Sequence, residues 1–187
     1  MKDFWNENKG IIGKLILQQF GAAFFGCSLI LASAAAPNNS VRLKLELVFS
    51  VLATILYLFL LYTFMWEKGG QDRIKIDGGR AERKPLKGLW IGLCANIPNI
   101  LIAAAAIVSQ PWRSTHEWAG NTNLIARVAA MIWESMYNGF VSNFAPVNPL
   151  IFALMIIPAL FVCEAAYLIG LSNRKLFGSV GKKKKEK

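Results

Sequence analysis

The stretch PLIFALMIIPALFVCEAAYLIGL, residues 149–171, decides how this chain is read. Its only charged residue is Glu164. A hydrocarbon core about 30 Å thick takes roughly 20 apolar residues in helical form. The stretch meets that length. Pro149 sits near its first turn, where a missing N–H costs a helix nothing, and Ser172-Asn173-Arg174 follows as a stop.

Three more runs of similar length precede it. Residues 15–36 are entered from Lys14 and ended by Pro37-Asn38-Asn39. Residues 45–66 end at Glu67-Lys68-Gly69-Gly70, and residues 86–108 begin beside Pro85. Over the 187 residues, 55% are hydrophobic, 17% are charged and the mean hydropathy is +0.40. A soluble domain carries about 25% charged residues, so one soluble core is a poor account. The expected fold is all-α: an antiparallel four-helix transmembrane bundle, one integral membrane domain.

Residues 123–144 are long enough to span but carry Arg127, Glu134, Asn138 and Asn143. Leu124, Val128, Ile132, Met136 and Phe140 recur every four residues, with Ile125, Ala129, Trp133 and Tyr137 one place later. Arg127, Glu134 and Asn138 fall on the other face. The pattern predicts an amphipathic helix lying at the outer interface. Trp112, Trp118, Trp133 and Tyr137 suit the headgroup level.

Charge sets the orientation. With four spans, the N-terminus, the loop 67–85 with its flanks and the tail 172–187 share one side, which receives seventeen Lys and Arg. The other side receives four: Arg42, Lys44, Arg113 and Arg127. Basic loops stay in the cytoplasm. Both termini are therefore expected there, in a multi-pass protein of the cell membrane. Lys184-Lys185-Glu186-Lys187 resembles a dilysine retrieval signal, which makes the endoplasmic-reticulum membrane the alternative in a eukaryote. Arg80, Arg83, Lys84, Lys182, Lys183, Lys184 and Lys185 are expected to meet anionic headgroups, each contributing about 1 kcal/mol. No aromatic residues interleave the lysines, which argues against nucleic acid.

The motifs exclude several chemistries. Cys27, Cys94 and Cys163 each lie in an apolar run without CxxC spacing, and His116 is the only histidine. Neither a zinc site nor a histidine-based triad fits. HExxH, GxxxxGK[ST] and GxSxG are absent. Asp77-Gly78-Gly79-Arg80-Ala81-Glu82-Arg83 departs from the DGxxAR element of the CDP-alcohol phosphotransferases, because Glu82 stands where an arginine is needed. Arg73-Ile74-Lys75-Ile76-Asp77 alternates, and Asp-Gly-Gly is a turn signal, so a short hairpin is expected. The chain is read as a non-enzyme without cofactor or metal.

One intramembrane layer stands out. By a rise of 1.5 Å per residue, Glu164 lies roughly 10 Å, Asn96 roughly 12 Å, Gln18 and Gln19 roughly 6–8 Å and Tyr57 roughly 14 Å from the basic end. An acid within a span is costly and calls for partners. The amides and Tyr57 are expected to supply them. Pro98 and Pro158 are expected to kink their helices beside this layer. Small residues at Ala22, Gly26 and Ala103–Ala106 are expected to bring the first and third helices together. By elimination, the leading function is a scaffold or regulatory subunit of a membrane assembly, with a membrane-protein partner or a second copy of the chain. The alternative is a small transporter or channel using the layer around Glu164.

Overall fold

The computed structural model describes residues 2–84, 86–144 and 147–172. Among them there is no strand. The helices are α1 (Lys2–Ser33), α2 (Asn39–Asp77), α3 (Lys87–Ala95), α4 (Ile97–Ser109), α5 (Glu117–Trp133), α6 (Asn138–Phe144) and α7 (Leu150–Leu171). Single 3-10 turns lie at Gln110–Trp112 and Ser135–Tyr137. α1, α2 and α7 are each long and apolar enough to cross a membrane. α3 and the stretch Ile97–Trp112 pass the same test together, as a pair bent by 60°.

α2 runs well past the span expected at 45–66. Asn38 caps its start, its side-chain oxygen accepting from the Val41 amide at 2.9 Å. Glu67-Lys68-Gly69-Gly70 does not stop it. Here α2 crosses α7 backbone to backbone: a Cβ on Gly69 would run into the Tyr167 carbonyl, and one on Gly170 into the Trp66 carbonyl. The glycines are needed for that approach, and the packing offsets their helical cost of about 1 kcal/mol. The expected hairpin is accordingly absent. Arg73 to Asp77 forms the last turns of α2, and Asp-Gly-Gly closes the helix instead, with Gly79 at φ +69°. The Gly79 amide returns to the Ile76 carbonyl at 2.9 Å and the Arg80 amide to the Lys75 carbonyl at 2.8 Å, as helix ends of this kind require.

One end of the molecule gathers Glu7 of α1, Asp72 of α2, Lys87 of α3 and Tyr167 of α7. The other gathers the end of α1 and the start of α2. There Ser33 Oγ donates to Glu46 Oε1 at 3.4 Å, and Arg42 Nε donates to the same oxygen at 2.8 Å. Asn143 of α6 joins this end by donating to the Leu43 carbonyl at 3.1 Å.

Residues 123–144 depart most from expectation. They form two helices broken at Glu134, and they sink into the bundle rather than lying on it. Ser135 Oγ donates to the Ala23 carbonyl. Thr54 Oγ1 donates to the Met136 carbonyl at 3.3 Å, and the Gly139 amide donates to Ser50 Oγ at 2.7 Å. Ala23 lies ten residues, about 15 Å, from the end of α1 at Ser33. The segment therefore reaches the middle of α1 and turns back. Small residues make the room: a Cβ on Gly26 would stand 2.6 Å from the Met136 amide nitrogen. Ala103 and Ala106 of α4 share one buried cluster with Ala126 and Ala130 of α5. These small stretches thus receive α5 and its turn; the first and third spans do touch, α1 packing against α3 and reaching α4 through Gln19 and Asn99. Trp133 and Tyr137 also lie inside rather than at headgroup level. Tyr137 packs edge-on against Tyr57 with ring centroids 6.4 Å apart.

The apolar face of α5 points outward: Leu124, Ile125, Val128 and Ile132 are exposed. So are Phe20 and Phe24 of α1, Leu52 and Ile55 of α2, and Leu154, Ile157 and Phe161 of α7. An apolar belt of this extent needs an apolar solvent. The helices are compatible with a membrane protein.

Candidate functional site

The site is built where two chain breaks meet. Pro98 has no N–H to offer the Cys94 carbonyl, and the helix breaks at Asn96, with φ −91° and ψ 7°. Two asparagine side chains bond at the break. Asn96 Nδ2 donates to the Gly92 carbonyl at 2.9 Å, and Asn99 Nδ2 donates to Asn96 Oδ1 at 3.0 Å. Asn99 Oδ1 accepts from Gln19 Nε2 and from Trp133 Nε1, both at 2.7 Å. One buried chain of hydrogen bonds thus ties α1, the α3–α4 break and the last residue of α5.

Glu134 is the next residue along. It is 2% exposed, and neither carboxyl oxygen has a hydrogen-bond partner. The Tyr137 hydroxyl is also buried without a partner. Ser135, the nearest hydroxyl in sequence, is spent on Ala23. Tyr57 and Tyr137, edge-on to one another, are buried in the same interior. Nearly every buried polar group in a folded protein finds a partner. An unpaired buried carboxylate costs several kcal/mol, a cost that a proton or a bound cation removes.

The layer expected around Glu164 separates into parts. Glu164 Oε2 accepts the Leu89 amide at 2.7 Å, so this acid caps the N-terminus of α3. Gly88 makes the approach possible, since a Cβ there would lie 2.8 Å from the Cys163 carbonyl and 2.9 Å from Glu164 Oε2. Gln18 Nε2 donates to the Tyr57 backbone carbonyl at 3.3 Å, while Gln18 Oε1 is unpartnered. Only Gln19 and Asn96 of the expected layer share a cluster. Glu164 is absent from it because its face of α7 meets the start of α3, not the break. The bend expected from Pro98 is present and falls at Asn96. Pro158 lies inside an unbroken α7.

A second polar assembly occupies the Glu7–Lys87 end. Lys87 Nζ lies 2.8 Å from both Asp72 Oδ2 and Glu7 Oε1. Lys68 Nζ lies 2.9 Å from Asp72 Oδ1, and the Tyr167 hydroxyl donates to Asp72 Oδ2 at 3.0 Å. Above this network opens a cavity of about 500 Å³ lined by Asp72, Lys75, Arg80, Lys84, Lys87 and Tyr167, among others. Arg80, Arg83 and Lys84 are exposed. Lys182, Lys183, Lys184 and Lys185 lie outside the described residues.

At the opposite end Arg127 pins the segment. Its Nε donates to Asn123 Oδ1 at 2.9 Å, and one Nη donates to Gln110 Oε1 at 3.0 Å and to the Val147 carbonyl. Burial, and secondarily the charge of Arg113, lower the Arg127 guanidinium from its ordinary value; a guanidinium in a protein stays protonated all the same.

Sequence reading missed Glu134, Trp133, Asp72 and Lys87. The face carrying Arg127, Glu134 and Asn138 was visible as polar, but periodicity finds two faces without saying which one the surroundings see. Among the described residues no three His, Cys, Asp or Glu side chains gather as a metal site. Compared with protein-family models, curated proteins and solved structures, the chain matches none of them.

Proposed function

We propose that this chain is a non-enzymatic multi-pass membrane protein that carries a proton or a small cation by way of Glu134. The observation that supports it is the unpartnered carboxyl of Glu134, enclosed where two broken helical segments meet. Discontinuous helices around a polar centre at mid-depth are the arrangement of many secondary transporters. An ionisable group at that depth is a functional site by default. In this reading α1, α2, the bent α3–α4 pair and α7 cross the bilayer in alternating directions. Both termini lie on the cytoplasmic side, where seventeen of the basic residues would fall. α5 and α6 dip in from the other face and return to it. Arg80, Arg83, Lys84, Lys182, Lys183, Lys184 and Lys185 then border anionic headgroups.

Full-length protein in liposomes with an entrapped pH- or cation-sensitive dye tests this reading. Imposed gradients are expected to dissipate faster than in protein-free liposomes. Glu134→Gln is expected to cut the rate at least about tenfold, as the loss of an essential acid does, with helix content unchanged. Glu164→Gln is expected to keep flux and to lose only capping stability, about 1 kcal/mol. No flux from the unsubstituted chain, together with one stable partner retained in mild detergent, returns the protein to the scaffold or regulatory role.

A further inference from the structure

We infer that the cavity at the Glu7–Lys87 end is a binding site for a phosphate-bearing anion. The inference does not depend on Glu134. The floor of the cavity is already neutral, because Lys68 and Lys87 are matched by Asp72 and Glu7 in direct contact. The remaining charges are Lys75, Arg80 and Lys84 against Glu82, an excess of two positive charges. None of those three cations is in an ion pair among the described residues. Arg73, by contrast, is held by Asp77 at 3.6 Å. Three free cations facing one concavity favour a dianion, and a guanidinium beside ammoniums suits phosphate geometry.

Size narrows the ligand. About 500 Å³ is within the range of organic-ligand pockets and far exceeds a bare phosphate. Ile76 and Ala81 add apolar wall, so the phosphate is expected to carry an organic body. The cavity lies beside the ends of α2 and α7, where the apolar belt gives way to charge. A phospholipid headgroup reaches such a place from the bilayer, and a soluble organic phosphate reaches it from the water side. Phosphate recognition is common to both.

The test uses the full chain in detergent with Lys182→Gln, Lys183→Gln, Lys184→Gln and Lys185→Gln, so that the tail does not attract anions by itself. Short-chain phosphatidic acid, glycerol 3-phosphate and inorganic phosphate are titrated separately, with short-chain phosphatidylcholine as the uncharged control. Tryptophan fluorescence and the thermal midpoint are followed. Saturable binding of phosphatidic acid alone supports the site and assigns it to a lipid headgroup. Saturable binding of glycerol 3-phosphate as well supports the site and assigns it to a soluble organic phosphate. In either case Arg80→Gln with Lys84→Gln should weaken binding about tenfold or more. Both residues are exposed, so circular dichroism should not change. Absence of saturable binding by any of the three anions overturns the inference. So does an affinity unchanged by the double substitution, or equal binding of phosphatidylcholine.

Discussion

Gly170→Leu is expected to leave no stable fold. A Cβ at this position would occupy the space of the Trp66 carbonyl oxygen and stand 3.0 Å from the Gly70 amide nitrogen. No rotamer change relieves a clash with backbone, so α2 and α7 must part, and with them Met65, Tyr167 and Cys163 of the main core cluster. Overpacking of a core costs up to about 3 kcal/mol when side chains can yield, and here they cannot. Size-exclusion chromatography should show aggregate, and any folded fraction should melt at least about 6 °C lower. Gly21→Ala is the matched control. Nothing lies within 4 Å of a Cβ at Gly21, and the substitution is expected to be neutral or stabilising by up to about 1 kcal/mol.

Lys87→Met is expected to be the next most damaging change. It leaves the carboxylate of Asp72, 3% exposed, with Lys68 and the Tyr167 hydroxyl as its remaining partners, and it frees Glu7. Removing one partner of a buried ion pair costs about 3–5 kcal/mol; retention of Lys68 places this case near the lower figure. The signature is non-additivity. Lys87→Met combined with Asp72→Leu should lose less than the two single changes summed, because both remove the same Lys87–Asp72 contact, although Lys68, 7% exposed, then lacks its carboxylate. Thermal melts of the two single variants and the double variant give the coupling. A sum of independent losses would mean that the network does not hold these helix ends together.

The sequence made the apolar runs legible because length and composition alone define them. The break at Pro98 was legible for the same kind of reason, a missing N–H. What failed was anything decided by a neighbour. Gly69 and Gly70 read as a stop, yet α2 runs through them and they are the crossing point with Gly170 of α7. Glu164 was visible as an anomaly, but its partner is a backbone amide of α3, which carries no mark in the sequence. Glu134 was visible only as a polar residue on an amphipathic helix. In water the polar face turns outward. Here Leu124, Ile125 and Val128 are exposed, while Ala126, Ala130 and Glu134 are buried. The pattern was read correctly and its surroundings inversely.

Sided labelling of introduced cysteines in intact cells tests most directly that residues 117–144 enter from one face and leave by the same face. With the unsubstituted chain as blank, Ser114→Cys and Asn148→Cys should both react with an impermeant maleimide from outside. Glu82→Cys should react only after the membrane is opened. If Ser114→Cys and Asn148→Cys label from opposite sides, the segment crosses the bilayer, and the buried turn at Glu134 is not where this account puts it.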